Sequence, residues 1–483
     1  MVVLDGVSLT IESVAAVAEG RDEVVLAAAA RDRMAAAREV VEEALRSGAA
    51  VYGLTTALAE RKSVVLDAAA RRGRSRFLIR GHLIAQGPPA PSPVVRAAMV
   101  CLVNGYAKGA AGVRPELAEM LVHAVNRGLV PAVRGLGSVG LADLGPLADL
   151  AEGLVRETGF ILEDLEGLAL INNNAFATGW AALAVLAAER LLAEAGVAAA
   201  LDLEAFAANV SPLHPVVAEV RPYPGLVATI GRLRALLAGS WLFEPGSARN
   251  LQDPLTFRGI PQILGAARDA LAYVRNTIET ELNSAQCNPA VVLAERRIVS
   301  AGNLEVIPLA AALDFARIAL APVITAAAER TVKLLQSPLS GLPAGLAAEP
   351  DTGEDALAEF AGAAQAIAAE ARTLAHPVSY ELVSSGKAEG IEDRTTMAPL
   401  SARRLAEMAD LAARVISLEL LVAAQAIDLR RPSRLGDGTG RAFRLVRELA
   451  GFTARGQAPP AELEPLVDAV RTGSFARAAA PSH

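Results

Sequence analysis

The 483-residue chain is poor in cysteine, with only Cys101 and Cys287, and aromatic side chains make up just 4% of it. Two cysteines so far apart exclude a disulfide framework and a cysteine-based metal site. Their scarcity points to a reducing, cytoplasmic setting. With few aromatics, the core falls to Ala, Leu and Val. Hydrophobic residues still reach 53%, and such text favours helices packed closely through small side chains. Basic residues are outnumbered, for a net charge of −7. That balance excludes nucleic acid as a general partner, because phosphate binding needs a basic surface, and it fits a protein handling small molecules. The opening MVVLDGVSLT has no cationic segment followed by an apolar stretch, so no signal peptide is expected. No apolar run reaches the ~18 uncharged residues of a membrane helix, so no membrane partner is expected. No internal repeat is visible.

What is present is helix after helix, in a mainly α chain. Val24 to Arg46 reads as helical, with Gly48 as a C-terminal stop. Ser92-Pro93 reads as a helix start. Trp180 to Ala195 is amphipathic, and Pro261 to Asn283, Pro308 to Leu335 and Ser401 to Leu429 are longer. Ser401 is a candidate cap for the last, and Pro322 a candidate kink in the one before it. Helices approaching 30 residues, ~45 Å, suit the spine of a bundle. Strand-like text is confined to Val2 to Leu4 and Ser8 to Ile11, and Ser337 to Glu354 reads as a loop. The expected organisation is a mixed N-terminal region over 1–200 that carries the active-site loops, a central and C-terminal helical bundle over 201–475, and a disordered tail over 476–483.

Polar islands interrupt this text: Tyr52-Gly53 with Thr55-Thr56, Arg80-Gly81-His82, Asn172-Asn173-Asn174, Gln252-Asp253 with Arg258, Glu281-Leu282-Asn283 with Asn288-Pro289, Gly302-Asn303 with Glu305, and Glu392-Asp393. Polar groups beside long apolar helices must be hydrogen-bonded or serve a site. Taken singly each island reads as caps and turns. Their order carries more information. Tyr52-Gly53-Leu54-Thr55-Thr56 resembles YGVNTGFG, and Glu166 to Asn172 resembles EGLALINGT. Gln252 to Gln262 resembles QDPYSLRCIPQ, Glu281 to Ser284 resembles ELNSATDNP, Gly302-Asn303 resembles GGNFHG, and Glu392-Asp393 with Met397 resembles QEDHVSM. Through these motifs nearly the whole chain resembles the aromatic amino acid ammonia-lyase family, which includes histidine, phenylalanine and tyrosine ammonia-lyases and related aminomutases. The resemblance implies an ammonia-lyase-like fold with a long central helical bundle. It also implies a homotetramer whose sites are shared between subunits.

One motif fails. The family reads GSVGASGDLAPL. Here GSVG is followed by Leu141-Ala142 and then Asp143-Leu144-Gly145-Pro146-Leu147, one residue short. In the family, Ala-Ser-Gly cyclises into a methylidene-imidazolone, an electrophile whose methylene comes from the serine. Glycine supplies an uncrowded nitrogen and the freedom to bend back. Leu141-Ala142 offers neither part. Ser138 remains, but it matches the ordinary serine of GSVG and is followed by the branched Val139. No prosthetic group is therefore expected, and Leu141, Ala142 and Asp143 read as a degenerate cofactor loop. No metal site is expected either.

The resemblance assigns roles position by position. Tyr52 matches the catalytic base, a phenol whose ordinary pKa is near 10. Arg258 matches the arginine that grips the substrate carboxylate through two parallel hydrogen bonds. Asn172 matches a residue beside the substrate's amine and carboxylate, and His82 one that helps choose the ring. Each has a structural alternative: a packed turn, an internal ion pair, or a satisfied buried histidine. Other positions depart from the family. Leu255 replaces a second tyrosine, Leu304-Glu305 after Asn303 replaces Phe-His, Ile391 replaces Gln, Arg394 replaces His, and Cys287 replaces Asp. Leu255, Asn303 and Leu304 are carried over as substrate-contacting positions. Glu305 and Glu392 form a candidate acid/base pair if they face one cavity; the alternative for Glu305 is an ion pair.

Without the electrophile, Tyr52 alone supplies only ~10²–10⁴-fold by acid–base catalysis. The expectation is therefore an enzyme of this superfamily that works without the ring on a small carboxylate-bearing, natural-product-like substrate, by isomerisation, dehydration, conjugate addition or cyclisation. The alternatives are a non-catalytic homologue that binds a ligand or partner subunit, and a true aromatic amino acid ammonia-lyase or aminomutase.

Overall fold

The computed structural model describes residues 1–350, 353–380 and 390–480. Helices dominate it, as the composition requires. The strands described form three two-stranded sheets. Val2–Leu4 is a strand as expected, but its partner corrects the reading of the next segment. Val24–Leu26 pairs with it in parallel register instead of opening a helix. Val-Val-Leu suits a pleated, half-buried edge better than a helix start. The helix begins at Ala28, runs to Ser47, and is stopped by Gly48 at φ +71°. Ser8 to Ile11 is not a strand. The Thr10 hydroxyl accepts from the Ser13 amide at 3.2 Å and caps a helix over Ile11–Ala18.

The structure falls into two compact units, neither of them a single run of sequence. The first comprises Met1–Leu186, Val274–Asp314 and Pro377–Arg403, and the second Ala187–Tyr273, Phe315–His376 and Arg404–His483. One of the five boundaries lies between His376 and Pro377, beyond the end of the Phe360–Thr373 helix; the other four fall inside long helices, Ala175–Phe206, Ile260–Leu282, Ile307–Leu335 and Ala398–Arg430. Ser401 lies inside the last of these and does not cap it. Its hydroxyl donates instead to the Asp314 carboxylate at 2.8 Å. Pro322 sits within its helix without ending it. By length and composition that helix could cross a membrane. Its Arg330, however, is buried against Asp202 and Glu419, as befits a core helix.

Two loop expectations also change. Ser337–Ser340 is a turn of helix and Ala344–Leu346 a tighter turn, both within the segment read as a loop; its residues 351–352 lie outside the described ones. The expected disordered tail is ordered at its start. Phe475 is fully buried, and the Phe475 and Ala476 amides donate to Glu194 at 3.3 and 2.7 Å, fixing a helix over Ser474–Ala478. Residues 481–483 lie outside the described ones.

Within the first unit the Ser92–Ala107 helix is buried along nearly its whole length. Gly179 lets another helix approach its backbone, since a Cβ there would stand 2.8 Å from the Ala97 carbonyl carbon. A second close approach bears on function. The Arg74–Gly81 and Glu166–Ile171 helices end at His82 and Asn172. They meet at Gly167, where a Cβ would lie 2.3 Å from the Ser75 carbonyl oxygen. Gly167→Ala must push these backbones apart, at a cost of roughly 1–3 kcal/mol. A fall in urea midpoint with loss of ligand affinity is the expected result, and an unchanged midpoint contradicts this packing.

Candidate active site

Tyr52 sits in a tight turn. The Val51 carbonyl accepts from the amides of Leu54, Thr55 and Thr56, while the Thr55 hydroxyl accepts from the Val51 amide at 2.7 Å. Gly53 takes φ +74°, and a Cβ there would strike Leu168 at 2.5 Å, so this turn requires glycine. The Ala59 amide donates to Tyr52 Oη at 3.1 Å. That bond survives whether or not the oxygen carries its proton, so the phenol stays oriented in both states.

Tyr52 lines a cavity of about 670 Å³ built entirely from the first unit. His82, Leu141, Leu144, Asn172, Leu304, Glu305, Ile391, Glu392 and Arg394 line it too. His82 closes its helix, and its Nδ1 lies 2.8 Å from the Leu78 carbonyl oxygen. A carbonyl only accepts, so Nδ1 carries the hydrogen, and in the neutral ring Nε2 is the acceptor. Asn172 donates to the Asn288 carbonyl at 2.9 Å. Its neighbours are structural: Asn173 accepts from the Ala175 amide at 2.9 Å, and Asn174 donates to the Gly140 carbonyl at 3.0 Å.

The loop after GSVG is gripped from several sides. Besides Asn174, the Thr396 hydroxyl donates to the Gly140 carbonyl at 2.8 Å, and the Met397 amide donates to the Val139 carbonyl at 3.0 Å. Leu141 forms an isolated antiparallel bridge with Glu305. Ala142 is buried at φ +57°, a strained setting for a residue with a Cβ. The Asp143 amide donates to the Asn173 carbonyl at 2.7 Å. These residues do not fit the ring of the family. No serine stands where the methylene must arise, the Ser138 hydroxyl donates to Asp143 at 3.1 Å, and the Asp143 nitrogen is already committed.

Asp143 is fully buried, and burial pushes its carboxyl up to about 7 from an ordinary 3.8, against the lowering effect of the Ala177 amide and Ser138. Its folded-state value is raised, so between pH 4 and 7 the folded chain holds a proton that the unfolded chain releases. Stability therefore falls as pH rises through that window, by at most roughly 1.4 kcal/mol per unit. Asp143→Asn removes this slope. Urea unfolding at pH 5 and pH 8 should show the variant gaining on the wild type at the higher pH, and equal slopes contradict the assignment.

The remaining assigned residues divide. Glu305 and Glu392 do line one cavity, but Glu305 is committed: its Oε2 pairs with Arg394 Nε at 3.5 Å and its Oε1 accepts from the Ile307 amide at 3.2 Å. The ion-pair alternative thus describes Glu305 better than an acid/base pair with Glu392. Asn303 turns to the Ala285 carbonyl at 3.4 Å and is not in the lining. Arg258 and Leu255 belong to the second unit. The Arg258 guanidinium donates to the Asp253 carbonyl at 3.1 Å and, in the orientation that satisfies both side chains, to the Gln252 oxygen at 3.2 and 3.3 Å. Leu255 is exposed. Sequence reasoning missed Thr396, the Ala59 amide and the cations Arg61, Lys62 and Arg74 in the cavity wall. It also missed that Glu305 and Arg394 meet; the signal was there, in two histidine positions replaced by opposite charges.

Fold and site define a mainly α-helical protein with a tyrosine in its cavity wall. Comparison with known proteins identifies its relatives. Residues 9–448 match the aromatic amino acid lyase family model, and the chain belongs to that family. Histidine ammonia-lyase of Stigmatella aurantiaca is 36% identical over 92% of this chain and 91% of its own. That of Caldanaerobacter subterraneus subsp. tengcongensis is 32% identical over 98% and 97%. The crystal structure of ergothionase from Treponema denticola, an ergothioneine-degrading enzyme, superposes with a TM-score of 0.91 at 26% identity, covering 98% of this chain and 99% of that one. These findings overturn the expectation of a repurposed isomerase, dehydratase or cyclase. At 32–36% identity over almost the full length, the relatives are ammonia-lyases, and the altered loop alone does not set the chain apart from them.

Proposed function

We propose that the protein is an amine-eliminating lyase acting on an aromatic α-amino acid, an imidazole-bearing one first among candidates. The observation that carries this is one cavity holding Tyr52, with its Oη fixed by a backbone amide, beside His82 and Asn172. The full-length relatives named histidine ammonia-lyase support the choice of ring. Tyr52 Oη, as phenolate, takes one β-hydrogen as a proton. The C–H electron pair becomes the Cα–Cβ double bond, the Cα–N bond breaks with its pair on nitrogen, and the ammonium departs as neutral ammonia. The products are ammonia and an arylacrylate. His82 Nε2 is free to accept a hydrogen bond from a ring N–H, which holds the ring while Tyr52 reaches Cβ.

We further propose that the Leu141–Ala142 loop stays unmodified. An intact mass equal to the unmodified chain is expected, and a deficit of two waters overturns this part alone. The loop favours a second reading of the substrate: a betaine of the ergothioneine kind, whose amine is already quaternary and departs as neutral trialkylamine. The ergothionase relative supports it. Incubation with L-histidine, L-tyrosine, L-phenylalanine and the Nα-trimethyl betaine of histidine, followed by arylacrylate absorbance, tests both readings. A rise with at least one is expected, and none with any contradicts the function.

A further inference from the structure

Away from the cavity, the second unit holds a group of donors without acceptors. The helix over Pro224–Leu236 crosses the helix over Ile260–Leu282 at two glycines. A Cβ on Gly225 would lie 2.1 Å from the Gly265 carbonyl oxygen, so the two backbones touch. Thr229 and Arg232 follow Gly225 by four and seven residues and share its face, and Arg268 follows Gly265 by three. The Thr229 hydroxyl, Arg232 Nε and Arg268 Nε are all buried, and none has a hydrogen-bond partner among the described residues. Thr229 is only 4% exposed, and both arginines are half-buried. Burial and the neighbouring Arg268 charge lower the Arg232 pKa, against the opposing pull of Glu194.

Buried donors cost free energy unless an acceptor meets them, and two like charges held together repel. The carboxylates nearby are engaged elsewhere. Asp269 Oδ1 accepts from the Gly225 amide at 2.7 Å. The two Glu194 oxygens accept from the Ala476 and Phe475 amides at 2.7 and 3.3 Å, and burial pushes that carboxyl up to about 7. We propose that Thr229, Arg232 and Arg268 form a binding site for a phosphoryl dianion, either inorganic phosphate or a phosphate monoester. Two guanidiniums carry two positive charges, which a dianion balances and a monocarboxylate does not. Their planar forks match phosphoryl oxygens through paired hydrogen bonds, and the threonine hydroxyl completes the cradle. The site is independent of the elimination chemistry: its residues all belong to the second unit, whereas the cavity is built from the first. A ligand that binds only the folded chain raises its stability, so occupancy here stabilises the second unit.

The test is thermal unfolding and calorimetric titration of the full-length chain in chloride buffer at fixed pH, with inorganic phosphate, glycerol 3-phosphate or acetate added. A saturable rise in melting temperature is expected with phosphate or the monoester and not with acetate. Tighter binding of phosphate supports the free ion as ligand, and tighter binding of glycerol 3-phosphate supports the ester. Arg232→Gln and Arg268→Gln should each weaken that binding roughly 10- to 100-fold, and the double variant should abolish it. Arg232→Lys should keep part of the affinity, and Thr229→Val should lose less than either glutamine variant. Without phosphate, the glutamine variants should melt no lower than the wild type, because each relieves a repulsion. No saturable response to either phosphate, or a response unchanged in the double variant, overturns the site. So does a wild type that ignores phosphate while Arg232→Gln changes its size on gel filtration, since a second copy of the chain then covers the pair. None of these outcomes bears on the elimination reading.

Discussion

Tyr52→Phe should lower kcat by ~10²–10⁴-fold while leaving the fold and ligand affinity nearly intact. The expectation comes from the turn itself. Its backbone bonds converge on the Val51 carbonyl and the Thr55 hydroxyl, and none needs the phenol oxygen. Removing Oη deletes only the acceptor for the Ala59 amide at 3.1 Å, on a partly exposed segment where water replaces it. Phe keeps the ring and its packing, so the loss falls on the proton transfer and not on the cavity. Steady-state kinetics beside a melting curve separates the two effects. A variant that keeps wild-type kcat removes Tyr52 from the chemistry; one that loses kcat together with its melting temperature makes it a structural residue.

Arg330→Ala should be the most damaging single change to stability, at roughly 3–5 kcal/mol. In the second unit Arg330 Nε donates to Asp202 Oδ2 and Glu419 Oε1, both at 2.8 Å, and its Nη1 donates to the Thr256 carbonyl at 3.2 Å; all three charged side chains are buried. Burial, reinforced by the neighbouring Glu419 carboxylate, pushes the Asp202 carboxyl well above the usual carboxylate range. One guanidinium, one carboxylate and one carboxylic acid then sum to zero charge. Without Arg330 the Glu419 charge is stranded in the core. The triple variant Asp202→Leu, Arg330→Met, Glu419→Leu should recover most of the loss, because an apolar trio strands nothing. Urea midpoints of the single and triple variants decide: a mild Arg330→Ala, or a triple variant no better than the single, contradicts the account.

The helical class was legible because Ala- and Leu-rich runs leave few other options; three of the long helices stand close to where their text begins and ends, while the stretch read as Trp180 to Ala195 is part of a helix over Ala175–Phe206. The errors have local causes. Val24–Leu26 was masked by the helical text that follows it, and only its distant partner Val2–Leu4 makes it a strand. Ser401 reads as a cap in sequence, yet its hydroxyl serves Asp314, far along the chain. Phe475 anchors a tail whose composition gives no sign of burial. At the site, motif order located Tyr52, His82 and Asn172. It did not reveal that Glu305 faces Arg394, because an ion pair between residues 89 positions apart has no local pattern. The emptied loop invited too large a conclusion: a change of chemistry was inferred from one segment, while relatives matched over the whole chain are ammonia-lyases.

The central claim is that Tyr52 removes a β-proton as an amine leaves the neighbouring carbon. The most direct measurement uses L-histidine and its Nα-trimethyl betaine, each carrying deuterium at both β positions, with product and free amine followed by NMR. Elimination predicts amine and arylacrylate in equal amounts and one of the two β-deuterons lost to solvent. A product that keeps both β-deuterons, or the absence of amine from both substrates, contradicts it.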